Sequence, residues 1–374
     1  MQKNKPSPPS LPPPHPLFVS ICTPTYNRRP FIEQMFDNFN KQTYPKEHLE
    51  WIIVDDGTDK IEDLVEKYKA TPPTPATPAA STQQIRYFRI DKKMSLGEKR
   101  NYMHQQCRGE IIVYMDDDDY YPPERVSHAV EMLQKNPDKL CAGASHIFMY
   151  FNDLQKMVEC GPYNPNHATA GTFAFRRKML EITKYDDTAC LAEEAHFLKN
   201  WTIPLVQLDT QKTILVFPHE HNSFDKHRLL ESMNPQVCKY SNKSPTDFIV
   251  GDNTALDFYT NKLNYVLKDY PAGLPENKQD VVKYTEKLNG EMAAKQFNMM
   301  VATVQQLQQE NQQLQQKIDE QTATIRDLKK ENIKLKIDIY KNSTAATKEV
   351  ASPQQFPTKY VLFNPEIMQQ NLGD

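Results

Sequence analysis

The sequence predicts an α/β domain built on a mostly parallel sheet with flanking helices, followed by an α-helical coiled coil. Two apolar segments, 17–22 and 51–54, each lead through a polar loop into a helical segment, and such units in succession are typical of a parallel sheet. A third apolar segment, 111–115, is followed directly by four carboxylates. From Phe297 onward apolar residues recur with a seven-residue period, which indicates a coiled coil.

These patterns divide the chain into five predicted regions: a disordered Pro-rich tail, 1–16; the α/β domain, 17–235; a helical extension, 236–290; the coiled coil, 291–342; and a second tail, 343–374. Seven prolines in the first tail favour an extended chain without a core. A Pro- and Thr-rich loop at 71–82 interrupts the α/β domain without ending it.

Within the α/β domain, apolar segments mark the strands and amphipathic segments mark the helices. Strands are predicted at 17–22, 51–54, 85–90, 111–115, 171–175 and 213–218. Helices are predicted at 30–42, 61–68 and, after a short loop, up to 107. Because parallel strands end at one edge of the sheet, the polar loops after the strands are expected to form the site.

Charge, hydropathy and cysteine spacing exclude several classes of protein. A net charge of −3 over 374 residues gives no basic footprint for nucleic acid. No apolar run reaches the length of about 18 residues that crosses a bilayer, so a soluble, unsecreted protein is expected. The six cysteines lack metal-ligand spacing. Reduced thiols and a cytoplasmic location are therefore expected, the host cytoplasm if the chain is viral.

The acidic run at 116–119 admits two interpretations from its own chemistry. Four adjacent carboxylates at the end of a buried strand repel one another, so a hard divalent cation, Mn²⁺ or Mg²⁺, would stabilise them. Alternatively, the run is a solvated turn before a helix that starts at Pro122. The other motifs of the chain decide between the two.

Four motifs follow one another along the chain: residues 19–27, Ile-Ile-Val-Asp-Asp-Gly-Thr at 52–58, Gly-Glu-Lys-Arg-Asn at 97–101 and Val-Tyr-Met-Asp-Asp-Asp-Asp at 113–119. In this order they resemble the family-two glycosyltransferases of the Rossmann-like GT-A fold. The resemblance extends over residues 17–230. It implies a GT-A-like domain that binds a nucleotide sugar together with a divalent metal ion.

The resemblance assigns the loops after the first two strands to the nucleoside of the donor. Tyr26 would stack on the base, although an ordinary half-buried loop aromatic is the alternative. Three neighbours would frame the nucleoside, namely Pro24, Thr25 and Asn27. Either Asp55 or Asp56 would accept a hydrogen bond from the base. Asp55 is favoured because it directly follows the strand, and Asp56 would then cap the next turn.

A second group of residues is implied to hold the diphosphate and the metal ion. Arg100 offers a guanidinium fork that suits a diphosphate, with a surface ion pair as the alternative. Asp116 and Asp118 form the D-x-D pair, because alternation along extended chain points them to one side, with Asp117 between them at the donor. Asp118 is the main metal ligand and Asp119 a second candidate, since the register is open by one residue.

Two later segments are implied to complete the donor site. Gly171 resembles a glycine that borders the donor sugar and the acceptor, where a missing side chain leaves room for a sugar ring. The alternative is an ordinary strand glycine. His219, with His221 in reserve, would be a further metal ligand beside carboxylate and phosphate oxygens. The alternatives are surface histidines, or a zinc site for which no third ligand is evident nearby.

The pair Glu193 and Glu194 resembles the family's Glu-Asp motif, in which the second acid is the general base. Inverting transfer needs one carboxylate to remove the proton of the acceptor hydroxyl as that hydroxyl attacks the anomeric carbon. Glu194 occupies this position, with Glu where Asp is usual, so its side chain is one methylene longer. The alternative is the acidic first turn of an amphipathic helix.

The heptad pattern predicts how the C-terminal region assembles. Positions a are Phe297, Val304, Asn311, Ile318, Ile325, Asn332 and Ile339, and positions d are Met300, Leu307, Leu314, Gln321, Leu328 and Leu335. Asparagines at two a positions favour two parallel strands in register, and hence a homodimer through 297–339. The alternative is a single long helix folded back on the first domain.

Together these patterns predict an inverting, metal-dependent glycosyltransferase. It would move a hexose or N-acetylhexosamine from a nucleoside-diphosphate donor, expected to be a UDP-sugar, to a hydroxyl group on a glycan, glycoconjugate or protein. Two other classes stay open. A sugar nucleotidyltransferase should have a glycine-rich loop after its first strand, which 24–27 is not. A non-catalytic scaffold, with a degenerate enzyme domain carried on a coiled coil, would be indicated if no nucleotide stabilised the protein.

Overall fold

The computed structural model describes residues 16–71, 84–231 and 236–346. The predictions for residues 1–15, for 72–82 of the loop and for 347–374 of the second tail lie outside the described residues. The chain divides into two compact units, the first ending at Gly290 and the second beginning at Glu291.

The strands and helices of the described residues follow the predicted alternation. The strands are β1 (Val19–Thr25), β2 (Leu49–Asp55), β3 (Ile85–Arg89), β4 (Ile111–Tyr114), β5 (Cys141–Gly143), β6 (Ile147–Phe151), β7 (Lys156–Cys160), β8 (Ala174–Arg176), β9 (Leu205–Gln207) and β10 (Cys238–Tyr240). The helices are α1 (Ile32–Asn40), α2 (Glu62–Ala70), α3 (Leu96–Gln106), α4 (Arg125–Lys135), α5 (Glu194–Phe197), α6 (Arg228–Glu231), α7 (Asn253–Asp257), α8 (Leu263–Lys268) and α9 (Gln279–Ala346).

The main sheet has the strand order β3-β2-β1-β4-β8-β5-β9. β3, β2, β1 and β4 are parallel to one another, and β8 is antiparallel to both of its neighbours. The prediction of a mostly parallel sheet with flanking helices is therefore confirmed. Because the chain moves from β1 outward to β2 on one side and to β4 on the other, a crevice forms at the carboxyl ends of β1 and β4.

The central strands are buried on both faces, which explains why they appear in the sequence as continuous apolar runs. Ile21, Ile53 and Val113 pack into one hydrophobic core. Their chain neighbours, such as Ile52 and Ile112, point to the opposite face and pack into a second core. Both faces of the sheet are thereby covered, and the strand ends are held in a fixed register.

A second, antiparallel sheet with the order β10-β7-β6 contains a disulfide between Cys160 and Cys238. The two residues are direct partners across β7 and β10. The expectation of six reduced thiols is therefore wrong for this pair, because a contact across 78 residues leaves no spacing signal. The other cysteines are buried and free. The cytoplasmic location consequently loses its support from the cysteines.

The segment after the main sheet differs in two ways from the prediction. Residues 213–218 do not form a strand but make the isolated bridges Tyr120–Leu215 and Met149–Val216, because the segment touches a different neighbour at each residue. The extension 236–290 begins with β10 before its helices. Those helices bury Tyr259 and Leu263 in a third core, against Phe31 and Phe217 of the preceding domain.

The second unit consists, among the described residues, of α9 from Glu291 onward. Every side chain described there is exposed. The long helix that the heptads predict is confirmed, while its pairing with a second helix stays a prediction. Within the part of the chain that the structure describes, none of the helices is both long enough and apolar enough to span a bilayer.

Candidate active site

A cavity of about 340 Å³ opens where β1 and β4 end. Its walls come from the loops after these strands, from α3 and from later segments of the first unit. Among its lining residues are nine of those predicted for the site: Pro24, Thr25, Tyr26, Arg100, Asp116, Asp117, Asp118, Asp119 and Gly171. The fold therefore brings together residues that are up to 147 positions apart, from Pro24 to Gly171, at the predicted edge of the sheet.

Asp118 is surrounded by donor and cationic groups. Its Oδ2 lies 3.2 Å from His219 Nε2, 3.3 Å from Asn222 Nδ2 and 3.3 Å from a guanidinium nitrogen of Arg28. Burial alone would raise the pKa of Asp118, but the hydrogen bond with His219 and the charge of Arg28 hold it well below its usual range. Asp118 is therefore ionised at neutral pH in the middle of a buried polar cluster.

The two aspartates beside Asp118 differ from it in their surroundings. Asp117 Oδ1 lies 3.6 Å from Arg28 Nε, and burial raises the pKa of Asp117 to about 7. Asp119 accepts a hydrogen bond from the main-chain N–H of Phe217 at 3.2 Å. Burial and the charge of Asp118 raise the pKa of Asp119. The run thus contains one carboxyl group with a lowered pKa between two carboxyl groups whose pKa is raised by burial.

Asp116 lies between Arg100 and Gly171. A guanidinium nitrogen of Arg100 is 3.9 Å from Asp116 Oδ1, an oxygen that is buried and makes no hydrogen bond with the described residues. A Cβ atom at Gly171 would lie 3.1 Å from Asp116 Oδ2. Gly171 is in a 3-10 turn before β8 rather than in a strand as predicted. Its missing side chain leaves space beside Asp116.

Asp55 caps the turn that follows β2. Its carboxylate accepts hydrogen bonds from the N–H of Gly57 at 2.8 Å, the N–H of Ile61 at 3.0 Å and the hydroxyl of Tyr87 at 2.8 Å. The capping that we expected of Asp56 is therefore made by Asp55, because Asp55 lies within reach of both N–H groups of the turn. Neither aspartate lines the cavity.

Asp56 connects the second strand to the cavity wall. It accepts a hydrogen bond from the N–H of Met94 at 2.7 Å and pairs with the ammonium groups of Lys93 and Lys99. Both lysines line the cavity, and Lys93 Nζ lies 4.6 Å from the centre of the Tyr26 ring. The choice between Asp55 and Asp56 as acceptor for a base stays a prediction.

Asn27 is buried and does not line the cavity. Its side chain forms hydrogen bonds that hold the neighbouring loop in place. Asn27 has a positive φ of 50°, a conformation that asparagine adopts more readily than most residues. Its side chain accepts a hydrogen bond from the N–H of Asp59 at 2.9 Å and donates to the carbonyl of Ala272 at 2.9 Å. Asn27 therefore fixes the loop that presents Tyr26.

Glu193 and Glu194 have different surroundings, although they are adjacent. Glu193 is buried and its Oε1 accepts a hydrogen bond from Arg100 Nε at 2.9 Å. Glu194 begins α5, and burial together with the charge of Glu193 raises its pKa to about 7. Neither lines the cavity itself. Glu193 is connected to the cavity through Arg100, whose side chain lines it.

The two predicted histidines have different surroundings, although their ring centres are 6.2 Å apart. His219 contacts Asp118, as described above. The ring of His221 lies instead against the backbone of Gly273, where a Cβ atom would come within 2.5 Å of His221 Nδ1. Burial lowers the pKa of His219 to about 3 and that of His221 to about 4, so both rings are neutral at pH 7. The geometry favours His219 as the histidine of the aspartate cluster.

Comparison with known families decides the identity of the first unit. Residues 20–190 match the model of the family described as "Glycosyl transferase family 2". This segment contains β1 from its second residue, β2 to β4, the acidic run and Gly171. Residues 20–190 match glycosyltransferase family 2. The resemblance inferred from four motifs is thereby confirmed.

Curated relatives that match part of this chain are bacterial glycosyltransferases. The poly(ribitol-phosphate) beta-N-acetylglucosaminyltransferase TarS of Staphylococcus aureus is 27% identical over 119 residues, which are 31% of this chain and 19% of TarS. The putative teichuronic acid biosynthesis glycosyltransferase TuaG of Bacillus subtilis is 25% identical over 118 residues, 31% of this chain and 42% of TuaG. The matched segment thus spans about a fifth of the length of TarS and about two fifths of the length of TuaG.

Solved structures resemble this chain at low identity. TarS 1–349 of S. aureus in complex with UDP-GlcNAc gives a TM-score of 0.43 at 18% identity, covering 62% of this chain and 63% of that one. The mannosyltransferase PcManGT of Pyrobaculum calidifontis, in complex with GDP-Man and Mn²⁺, gives 0.44 at 16% identity, covering 77% and 83%. The fold assignment depends on the sheet order above and not on these scores.

The donor set fits a divalent ion that shares its ligands with a substrate. Among residues 16–71, 84–231 and 236–346, no three His, Cys, Asp or Glu side chains converge on one point. Asp118 and His219 do lie within 3.2 Å of each other, and the unpaired Oδ1 of Asp116 is close to the same cavity. Mg²⁺ and similar hard ions are commonly held by one or two carboxylates plus phosphate oxygens.

Several residues of the family 2 site escaped the sequence analysis. Arg28 and Lys99 follow or lie inside matched motifs, and their positive charge next to acidic motifs was a usable signal. Asn222 and Lys226 gave a weaker one, because they lie near His219 in a loop. Lys278 gave none, because it is 159 to 162 positions from the acidic run and only the fold places it in the cavity wall.

Proposed function

We propose that the protein is a metal-dependent, inverting glycosyltransferase that moves a hexose or N-acetylhexosamine from a UDP-sugar to a hydroxyl acceptor. The observation that carries this proposal is a cavity lined by Asp118 and Arg28 within the segment that matches family 2, with His219 in hydrogen-bond contact with Asp118. The relative TarS, named an N-acetylglucosaminyltransferase and solved in complex with UDP-GlcNAc, supports the choice of donor.

The cavity offers an aromatic surface and a cationic wall for a nucleotide. Tyr26 lines it, and its ring is available to stack on a base, as aromatic side chains commonly do. Six cationic side chains also line it: Arg28, Lys93, Lys99, Arg100, Lys226 and Lys278. Guanidinium and ammonium groups bind phosphate oxygens through charge-assisted hydrogen bonds. The diphosphate would therefore lie between Tyr26 and the aspartate run.

Asp118 and His219 would hold the divalent ion, with Asp116 as a further ligand and Asp119 less suited because its Oδ1 already accepts a main-chain hydrogen bond. When bound, the ion supplies positive charge that stabilises the diphosphate as it leaves. Arg28 and Arg100 add positive charge from the protein itself. Glu193 positions Arg100 by holding its Nε.

Glu194 is the proposed general base. It would accept the proton of the acceptor hydroxyl while that oxygen forms a bond to the anomeric carbon and the bond from this carbon to the diphosphate breaks on the opposite face, which inverts the configuration. A pKa near 7 suits this role, because a base works best when its pKa is close to the working pH.

A thermal-shift panel tests the proposed donor. UDP with Mn²⁺ is expected to raise the melting temperature by roughly 5–10 °C, because a ligand at 100 times its Kd adds about 2.7 kcal/mol to the free energy of unfolding. GDP, CDP and ADP with Mn²⁺ are the matched controls, and EDTA removes the metal. If no nucleoside diphosphate shifts the melting temperature, a non-catalytic scaffold becomes the better interpretation.

We also propose a parallel homodimer through residues 297–339. The helix leaves its a and d side chains in water, with Leu307 57% and Ile318 53% exposed. Such a continuous apolar stripe is typical of a coiled-coil seam that needs a partner. Asn311 and Asn332 within the stripe select two strands in register.

Light scattering after gel filtration tests the dimer. The wild-type chain is expected to have twice the mass of one chain, and Leu314→Lys should reduce it to one, because a charge at a d position cannot be buried without a partner. Gln316→Lys adds the same charge at an outer f position and should leave the dimer intact. A wild-type mass of one chain would favour the isolated helix instead.

A further inference from the structure

One segment from beyond the family 2 match covers the candidate donor site. It runs from Pro271 to Lys278 through two short 3-10 turns. The hydroxyl of Tyr26 donates to the carbonyl of Asn277 at 3.2 Å, and Asn27 Nδ2 donates to the carbonyl of Ala272 at 2.9 Å. The segment is therefore fastened to the same loop that presents the aromatic ring to the cavity.

Lys278 ends this segment as a buried amine in the cavity wall. It is 5% exposed, and its ammonium donates to the carbonyl of His221 at 3.0 Å and to Ser223 Oγ at 3.1 Å. Among the residues that the structure describes, no carboxylate lies within 4.0 Å of this ammonium, which separates Lys278 from the equally buried Lys99, paired with Asp56.

The other cations of the wall are nearly all paired. Arg28 pairs with Asp117 and Asp118, and Arg100 with Glu193. Lys93 and Lys99 share Asp56, and Lys93 also pairs with Asp280. In the described part of the wall, Lys226 and Lys278 are left without an ion pair, and Lys278 is the more buried of the two. Burial without a counter-ion lowers the pKa of Lys278 to about 6, and a ligand that supplied negative charge would stabilise the charged form of its amine.

We propose that Lys278 is a ligand for the diphosphate of the nucleotide donor, so that the segment Pro271 to Lys278 forms part of the donor site. This inference depends on the proposed function, because it assigns a residue to the same cavity. An ammonium group has three donors, and the structure uses two of them. The third is free for a phosphate oxygen, which would also be the missing counter-ion.

The competing interpretation is a structural one, in which Lys278 only ties the loop at His221 and Ser223 to the segment. The two interpretations differ in what removal of the charge does. A purely structural lysine affects the shape of the whole cavity and hence every ligand equally. A diphosphate ligand affects UDP more than UMP, because UMP lacks the second phosphate.

The test is calorimetric titration of the full chain in Mn²⁺ with UDP, UMP and uridine. Lys278→Met is expected to weaken UDP binding by roughly ten-fold or more, since one charge-assisted contact is lost. Its affinity for UMP and uridine should stay within about two-fold of wild type. Lys278→Arg retains the charge and should recover most of the UDP affinity.

Lys283→Gln is the matched control, because it removes the same charge from an exposed position five residues further along the chain. It should leave all three affinities unchanged. Each titration is run below the melting temperature of its variant. Equal losses for UDP and UMP in Lys278→Met, or no loss for either, would overturn the inference while leaving the proposed function standing. A wild-type chain that binds no UDP would overturn the proposed function, and the inference with it.

Discussion

Asp118→Asn is expected to lower kcat for sugar transfer by about three orders of magnitude or more. Asparagine keeps the shape of the side chain but removes the negative charge that would hold the divalent ion. Loss of several kcal/mol of transition-state stabilisation corresponds to such a factor. The measurement is release of UDP from a UDP-sugar in Mn²⁺, followed for the purified variant and the wild type.

The control for Asp118→Asn is Asp138→Asn, which changes an exposed aspartate with a side chain that is 70% exposed. It should keep wild-type turnover. Circular dichroism should show both variants folded, because asparagine keeps the shape of Asp118 and Arg28 retains Asp117 as an ion-pair partner. Near-normal turnover by folded Asp118→Asn would contradict the role of this residue.

Glu194→Gln is expected to lower kcat by about 10² to 10⁴-fold, the usual contribution of a general base. The wild-type value of kcat/KM should rise with pH and level off above about 7, because only the carboxylate form accepts a proton. Glutamine cannot titrate, so the residual activity of the variant should lose this rise. Initial rates from pH 5.5 to 8.5 give both results.

The free energy of unfolding should fall over the same pH range in which kcat/KM rises. The folded pKa of Glu194, about 7, lies above its ordinary value of 4.5, so the folded state disfavours the carboxylate. The stabilising contribution is complete below pH 4.5 and is lost as the pH rises to about 7. Glu194→Gln should remove this loss and leave the melting temperature at pH 8 equal to or above that of wild type.

Two further variants separate the base from its surroundings. Glu181→Gln changes an exposed glutamate and should leave rate and stability unchanged. Glu193→Gln removes the partner of buried Arg100, and breaking a buried pair typically costs about 3–5 kcal/mol. It should therefore lower the melting temperature, which Glu194→Gln does not. Full activity of Glu194→Gln at pH 7.5 would refute the assignment of the base.

The strands that could be predicted are those that leave a local pattern of apolar residues in the sequence. β1, β2 and β4 are buried on both faces, so each leaves a continuous apolar run in the sequence. The polar residues that follow each run then meet because parallel strands end at one edge. Tyr26 and Asp118 could be placed in one cavity by this reasoning.

The part that could not be predicted depends on contacts between distant segments. Residues 213–218 have the composition of a strand, yet their neighbours allow only isolated bridges. Asp55 and Asp56 are equivalent in the sequence, and only the positions of Gly57 and Ile61 select Asp55 as the cap. The partners of Cys160, Cys238 and Lys278 are likewise set by the fold. No spacing in the sequence predicts these contacts.

The disulfide between β7 and β10 has a consequence for how the site is divided. The chain between Cys160 and Cys238 forms a closed covalent ring that contains Gly171, Glu194 and His219, while Tyr26 and Asp118 lie outside it. Closing a ring of this size lowers the entropy of the unfolded chain by an amount worth about 4.5 kcal/mol in the loop-closure model. Gly171, Glu194 and His219 are consequently carried on a tethered segment, and the same sequence resists unfolding better in oxidising surroundings than in reducing ones.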